Sequence, residues 1–102
     1  MAKFVLAYTG GGMAAPEDQQ KVMELWMNWF GSLGQAVVDG GNPFAAACTV
    51  GSDGSTKDGG RAGLTGYSII EATSLSDAAD KAKGCPVLAS GGAVEVYEAM
   101  PM

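Results

Sequence analysis

At 102 residues the chain has room for one domain around one modest core. Eleven acidic residues against six basic ones leave a net charge of −5, so the sequence supplies no basic surface for a nucleic acid. Histidine is absent, which removes imidazole acid/base chemistry, His-containing metal sites and Ser-His or Cys-His nucleophile pairs, and leaves proton transfer to carboxylates, Tyr, Cys or Lys. No cofactor or metal is expected. Cys48 and Cys85 lie far apart with no CxxC arrangement, and the opening MAKFVLAY lacks the pattern of a secretory signal, which predicts a reduced, cytoplasmic setting. No apolar run approaches the ~18 residues that cross a bilayer, so no membrane partner is expected.

The segment from Lys3 to Thr9 is short and rich in Phe, Val, Leu and Tyr, and reads as a first strand closed by Gly10-Gly11-Gly12. Pro16 suits the first position of a helix, along which Val22, Leu25, Trp26, Trp29, Phe30 and Leu33 recur at helical spacing as one broad buried stripe that stops at Gly34. Ala36 to Val38 and Phe44 to Val50 predict one interrupted or bulged second strand, with Pro43 marking an edge or a kink. Residues 51 to 63 carry little that could be buried and read as a hairpin tip or a partner-facing loop. A third strand follows at Thr65 to Thr73. Ser74 and Asp77 have the spacing of a capping box, opening a second helix whose narrow apolar face is Leu75, Ala78, Ala79 and Ala82, and Gly84 with Pro86 ends it. Ala93 to Met100 is the last strand, so the predicted order is β-α-β-β-α-β within a single 1–102 domain.

Along the first strand Phe4, Leu6 and Tyr8 fall on one face and Val5 and Ala7 on the other, and the third strand repeats this with Tyr67, Ile69 and Ile70. Two helices cover one face of a four-stranded sheet. The other is then a larger apolar patch than a soluble monomer usually exposes, which predicts a homodimer packed sheet against sheet about a two-fold axis. Burial by a second copy also offsets the backbone entropy that sixteen glycines lose on folding.

Four segments carry a family resemblance: KFVLAYTG at the start, GLTGYSII (Gly63 to Ile70), SLSDAADKAKGCPV (Ser74 to Val87) and GGAVEVYEAMP (Gly91 to Pro101). Together they resemble the YCII-related, or DGPF-domain, family, and the likeness runs along most of the chain. The resemblance implies an α+β, ferredoxin-like βαββαβ subunit with an antiparallel four-stranded sheet, pairing as a dimeric α/β barrel. Some members look like enzymes with a His-Asp pair. In this chain Asp18 stands where that His would be, just after Pro16, and Asp39 lies near the Asp position. The Asp-Gly-Pro-Phe motif is not present, Asp58-Gly59-Gly60 being at most a trace of it.

Read from the residues alone, Asp18 falls with Val22, Leu25 and Trp29 on a helical wheel, where a desolvated carboxylate could act as acid or base. It reads equally as an ordinary first-turn acid complementing the helix dipole, and Asp39 as a turn former before Gly40 and Gly41. Tyr8, Trp26 and Tyr67 are candidates to line a pocket for a compact apolar or aromatic ligand, with Trp29 and Tyr97 beside them. In an enzyme of lyase or isomerase type, Asp18 is the acid/base, Asp39 its electrostatic partner, and Tyr8 or Tyr67 a hydrogen-bond donor to the substrate. The rival reading is a non-catalytic interaction or regulatory module. Cys85 reads as a small buried residue or a thiol nucleophile without an adjacent base, and Cys48 likewise as a buried residue. Gly10 to Ala15 loosely fits a dinucleotide-binding GxGxxA pattern, but Pro16 starts the helix after the glycines and not among them. A flexible pocket entrance or an anion-accepting nest of amides is the simpler use.

Overall fold

A computed structural model describes residues 1–10 and 16–101; the pocket entrance or amide nest expected of the Gly10 to Ala15 loop lies, for residues 11–15, outside the described residues. The chain forms strand β1 (Ala2–Thr9), helix α1 (Gln19–Leu33), strands β2 (Val37–Asp39), β3 (Cys48–Val50), β4 (Thr56–Asp58) and β5 (Leu64–Ala72), helix α2 (Leu75–Ala82) and strand β6 (Ala93–Ala99). It is an α+β structure. Four strands make one antiparallel sheet in the order β2-β5-β1-β6, and β3 and β4 make a separate two-stranded sheet.

Strict alternation in the long strands sets the core. Register pairs Phe4 with Ile70 and Glu98, Leu6 with Ser68 and Val96, and Tyr8 with Gly66 and Val94. On this face Phe4, Leu6 and Ile70 are wholly buried, and Trp29 of α1, Ala78 and Ala82 of α2, and Cys85 and Val87 after it close over them. Burying each large side chain contributes about 1.5–3 kcal/mol. Helix α2 follows the predicted cap: the Asp77 N–H donates to Ser74 Oγ at 3.1 Å, while Asp77 Oδ2 accepts from the Thr73 N–H at 3.0 Å. The Trp29 indole donates to the Lys81 carbonyl at 3.1 Å, joining α1 to the last turn of α2, where the same carbonyl also accepts from the Gly84 N–H at 3.4 Å.

Two expectations need correction. The buried stripe of α1 is narrower than its sequence suggests: Trp29 is buried and Trp26, Phe30 and Leu33 are partly so, but Leu25 is 48% exposed. It lies about 100° round the helix from Trp26, beyond the reach of the sheet. The second strand is also not one interrupted strand. After β2 the chain returns to β5 as a single bridge at Asn42 to Phe44 and not as a strand: Pro43 bridges Gly66 and the Phe44 N–H donates to the Thr65 carbonyl at 2.9 Å. Cys48–Val50 then pairs with Thr56–Asp58 instead of the main sheet, and Pro43 sits at the edge of β5, where the flanking bonds come from Asn42 and Phe44 and no N–H of its own is needed. The 51–63 segment thus holds a strand as well as a turn, whose tip is held by Asp53 Oδ1 accepting from the N–H and hydroxyl of Ser55 at 2.9 and 2.7 Å.

The opposite face of the main sheet carries no helix among the described residues. Val5, Ala7, Tyr67, Ile69 and Tyr97 form its middle, Phe44 stacks on Tyr67 with ring centroids 5.7 Å apart, and Lys3, Glu71 and Glu95 lie among them. The molecule is a slab of 43 × 41 × 19 Å. Among the described residues no helix is long and apolar enough to cross a membrane.

Candidate functional site

A cavity of about 520 Å³ opens between the first half of α1 and the sheet. It exists because β5 presents Gly66 and Ser68 to the helix at positions where its lower half presents Ile70 and Ala72, so nothing bulky fills the space under α1. Gln19, Val22, Met23, Trp26 and Phe30 form the helical wall; Tyr8, Gly66 and Ser68 form the floor; Gly40 to Pro43, Thr65, Tyr67 and Val87 complete the rim. None of these side chains carries a charge. Tyr8 and Trp26 meet edge to face at 5.1 Å between centroids, and Trp26 lies 5.9 Å from Phe30.

A chain of hydrogen bonds runs through the floor. The Tyr8 hydroxyl donates to Ser68 Oγ at 2.7 Å, and Ser68 donates to the Gly40 carbonyl at 2.7 Å. Ser68 is wholly buried, and this bond ties the Gly40–Gly41 turn to the sheet. Gly41 has φ +74° and passes so close to the Tyr67 carbonyl that no Cβ fits. Burial raises the pKa of Tyr8 well above the ordinary phenol range, so the hydroxyl stays neutral. Burial likewise pushes the adjacent Cys85 thiol up to about 11, which makes it a poor nucleophile.

The structure brings together three of the five residues expected at a site. Tyr8 and Trp26 both line the cavity, their rings in edge-to-face contact. Tyr67 belongs to the rim, but alternation turns its ring to the opposite face of the sheet, against Phe44. Asp18 and Asp39 are exposed and line no part of the cavity. Asp18 ends a 3₁₀ turn, Pro16–Asp18, as the N-cap of α1, and its side chain makes no capping hydrogen bond. The wheel that placed it with Trp29 assumes α-helical geometry one turn too early. Asp39 Oδ1 accepts from the Gly41 N–H at 2.8 Å, an Asx turn. Cys85 is buried as expected, whereas Cys48 is exposed on β3, because that strand leaves the sheet.

Sequence reasoning passed over Ser68, Thr65 and Gly40 to Pro43. Ser68 had a signal: a lone hydroxyl at a helix-facing position of the otherwise apolar GYSII, which a buried strand keeps only with hydrogen-bond partners. The rim had none, since its place beside β5 depends on a loop path. No family model matches the chain, and no curated protein matches it.

Proposed function

We propose that the chain is a YCII-like small-molecule-binding protein: a ferredoxin-like subunit that pairs sheet to sheet as a homodimer and holds a compact, uncharged ligand between α1 and the sheet. The observation that carries this reading is the cavity, whose size is that of small-molecule sites and whose lining is largely aromatic and apolar with a few polar groups. The order β2-β5-β1-β6, with α1 after the first strand and α2 after β5, supports the ferredoxin-like arrangement when the β3–β4 hairpin is taken as an insertion. The helix-free face supports the second copy, and two free cysteines support a cytoplasmic setting. With Asp18 and Asp39 both in solvent, binding is favoured over Asp-based proton transfer.

Tryptophan emission tests the reading. Titration with uncharged bicyclic aromatics should give saturable quenching, and Trp26→Ala should remove it while the far-ultraviolet circular dichroism is kept. A flat response across such compounds refutes a ligand site here.

A further inference from the structure

The proton positions along the cavity floor follow from which groups are able to donate. The Gly40 carbonyl is an acceptor only, so the hydrogen of Ser68 must lie on the 2.7 Å line between them. Ser68 Oγ is then the acceptor in its contact with Tyr8, and the single hydroxyl hydrogen of Tyr8 is committed to Ser68, also at 2.7 Å. The phenolic oxygen is left with lone pairs and no hydrogen to offer. Thr65, on the same rim, repeats the pattern: its hydroxyl donates to backbone carbonyls, that of Tyr8 at 3.2 Å and that of Gly10 at 3.4 Å. Tyr8 and Thr65, which carry these acceptor-only hydroxyls, both line the cavity. Cys85 neighbours the phenol but does not line the cavity, and a thiol is a weak donor.

We propose that the cavity selects a neutral, flat molecule bearing an O–H or N–H group, and that this group donates its hydrogen to the phenolic oxygen of Tyr8. The inference rests on the small-molecule reading above and makes it specific. It reverses the role expected of Tyr8 from the sequence, where it stood as a donor to the substrate. An acceptor-only ligand brings its lone pairs against those of Tyr8 with no hydrogen between them, and leaves a desolvated oxygen unpaired.

The test is calorimetric titration of the unmodified protein with 2-naphthol and with 2-methoxynaphthalene, which share a ring system and differ in one donor hydrogen. Apolar transfer alone favours the ether, so a preference for the alcohol reports the hydrogen bond. The expected preference is about tenfold or more in Kd for 2-naphthol. Tyr8→Phe should abolish the preference, bringing the two affinities level or leaving the ether the tighter binder. Ser68→Ala, which frees the Tyr8 hydrogen to donate, should narrow it by raising the affinity of the ether. Circular dichroism of each variant establishes that it is folded. Equal binding of the two probes, tighter binding of the ether, or a preference that survives Tyr8→Phe overturns the inference and leaves the cavity a ligand site. Binding of neither probe overturns both.

Discussion

Gly41 stands where only a residue without a side chain fits. Its positive φ and its closeness to the Tyr67 carbonyl let the Asp39-to-Pro43 turn lie flat against β5, which puts Gly40 within reach of Ser68 and gives the cavity its rim. Gly41→Ala combines a strained backbone with a steric collision against a main-chain atom, neither of which a side-chain movement relieves. Chemical denaturation should record a loss of about 3 kcal/mol or more, large enough for the rim to detach from β5. A loss below ~1 kcal/mol would mean that the turn is held elsewhere. The Asp39–Gly40–Gly41 run is legible in sequence as a turn. That its middle carbonyl caps a buried serine 28 positions later is not, because that contact is a product of sheet register.

Among the elements, α2 is the one whose sequence and structure agree most closely, and its N-terminus gives a pH-dependent prediction. The Lys81 ammonium, at 2.8 Å and one turn away, is the main cause holding the Asp77 carboxyl below the usual carboxylate range, with the Thr73 N–H second. A carboxyl whose folded pKa lies below its unfolded value adds stability at pH above the unfolded value, near ~4, and loses it as pH falls through the folded one. Asp77→Asn should therefore lower Tm at neutral pH and flatten the acid limb of the stability profile below about pH 4, with little change in slope above it. An unaltered acid limb would assign that titration to another group. Helix α1 was less legible. Its apolar positions are as regular as those of α2, but periodicity gives a direction and not the width of the surface below, and the sheet under α1 narrows at Gly66 and Ser68.

At the scale of the whole molecule, the slab is one layer of helices on one sheet, with the other side bare of helix among the described residues. Its radius of gyration of 14.8 Å exceeds the ~13 Å of a compact chain of this length, partly through the β3–β4 hairpin, a two-stranded unit too small to be stable alone. A second copy placed on the open face buries Val5, Ile69 and Tyr97, which share a row across three strands. Ile69→Glu, set in the middle of that row and away from the helix-side core, should convert a dimer at micromolar concentration into a folded monomer in sedimentation experiments. Sedimentation of the unmodified chain as a single subunit at that concentration removes the dimer from the proposal.

Local rules reached as far as local physics extends. Strand alternation, the Ser74–Asp77 cap, the glycine stops and the two-sided greasiness of the sheet each depend on neighbours a few positions apart, so the order of the main elements and the helix-facing half of the core were readable from the residues alone. The tertiary structure decided what depends on distant segments meeting. It placed the cavity where β5 thins beneath α1, turned Tyr67 away from it, left Asp18 and Asp39 in water, and sent Cys48 out on a hairpin. It also fixed the direction of the Tyr8 hydrogen, which follows from a carbonyl 32 residues away and from no feature of the first strand itself.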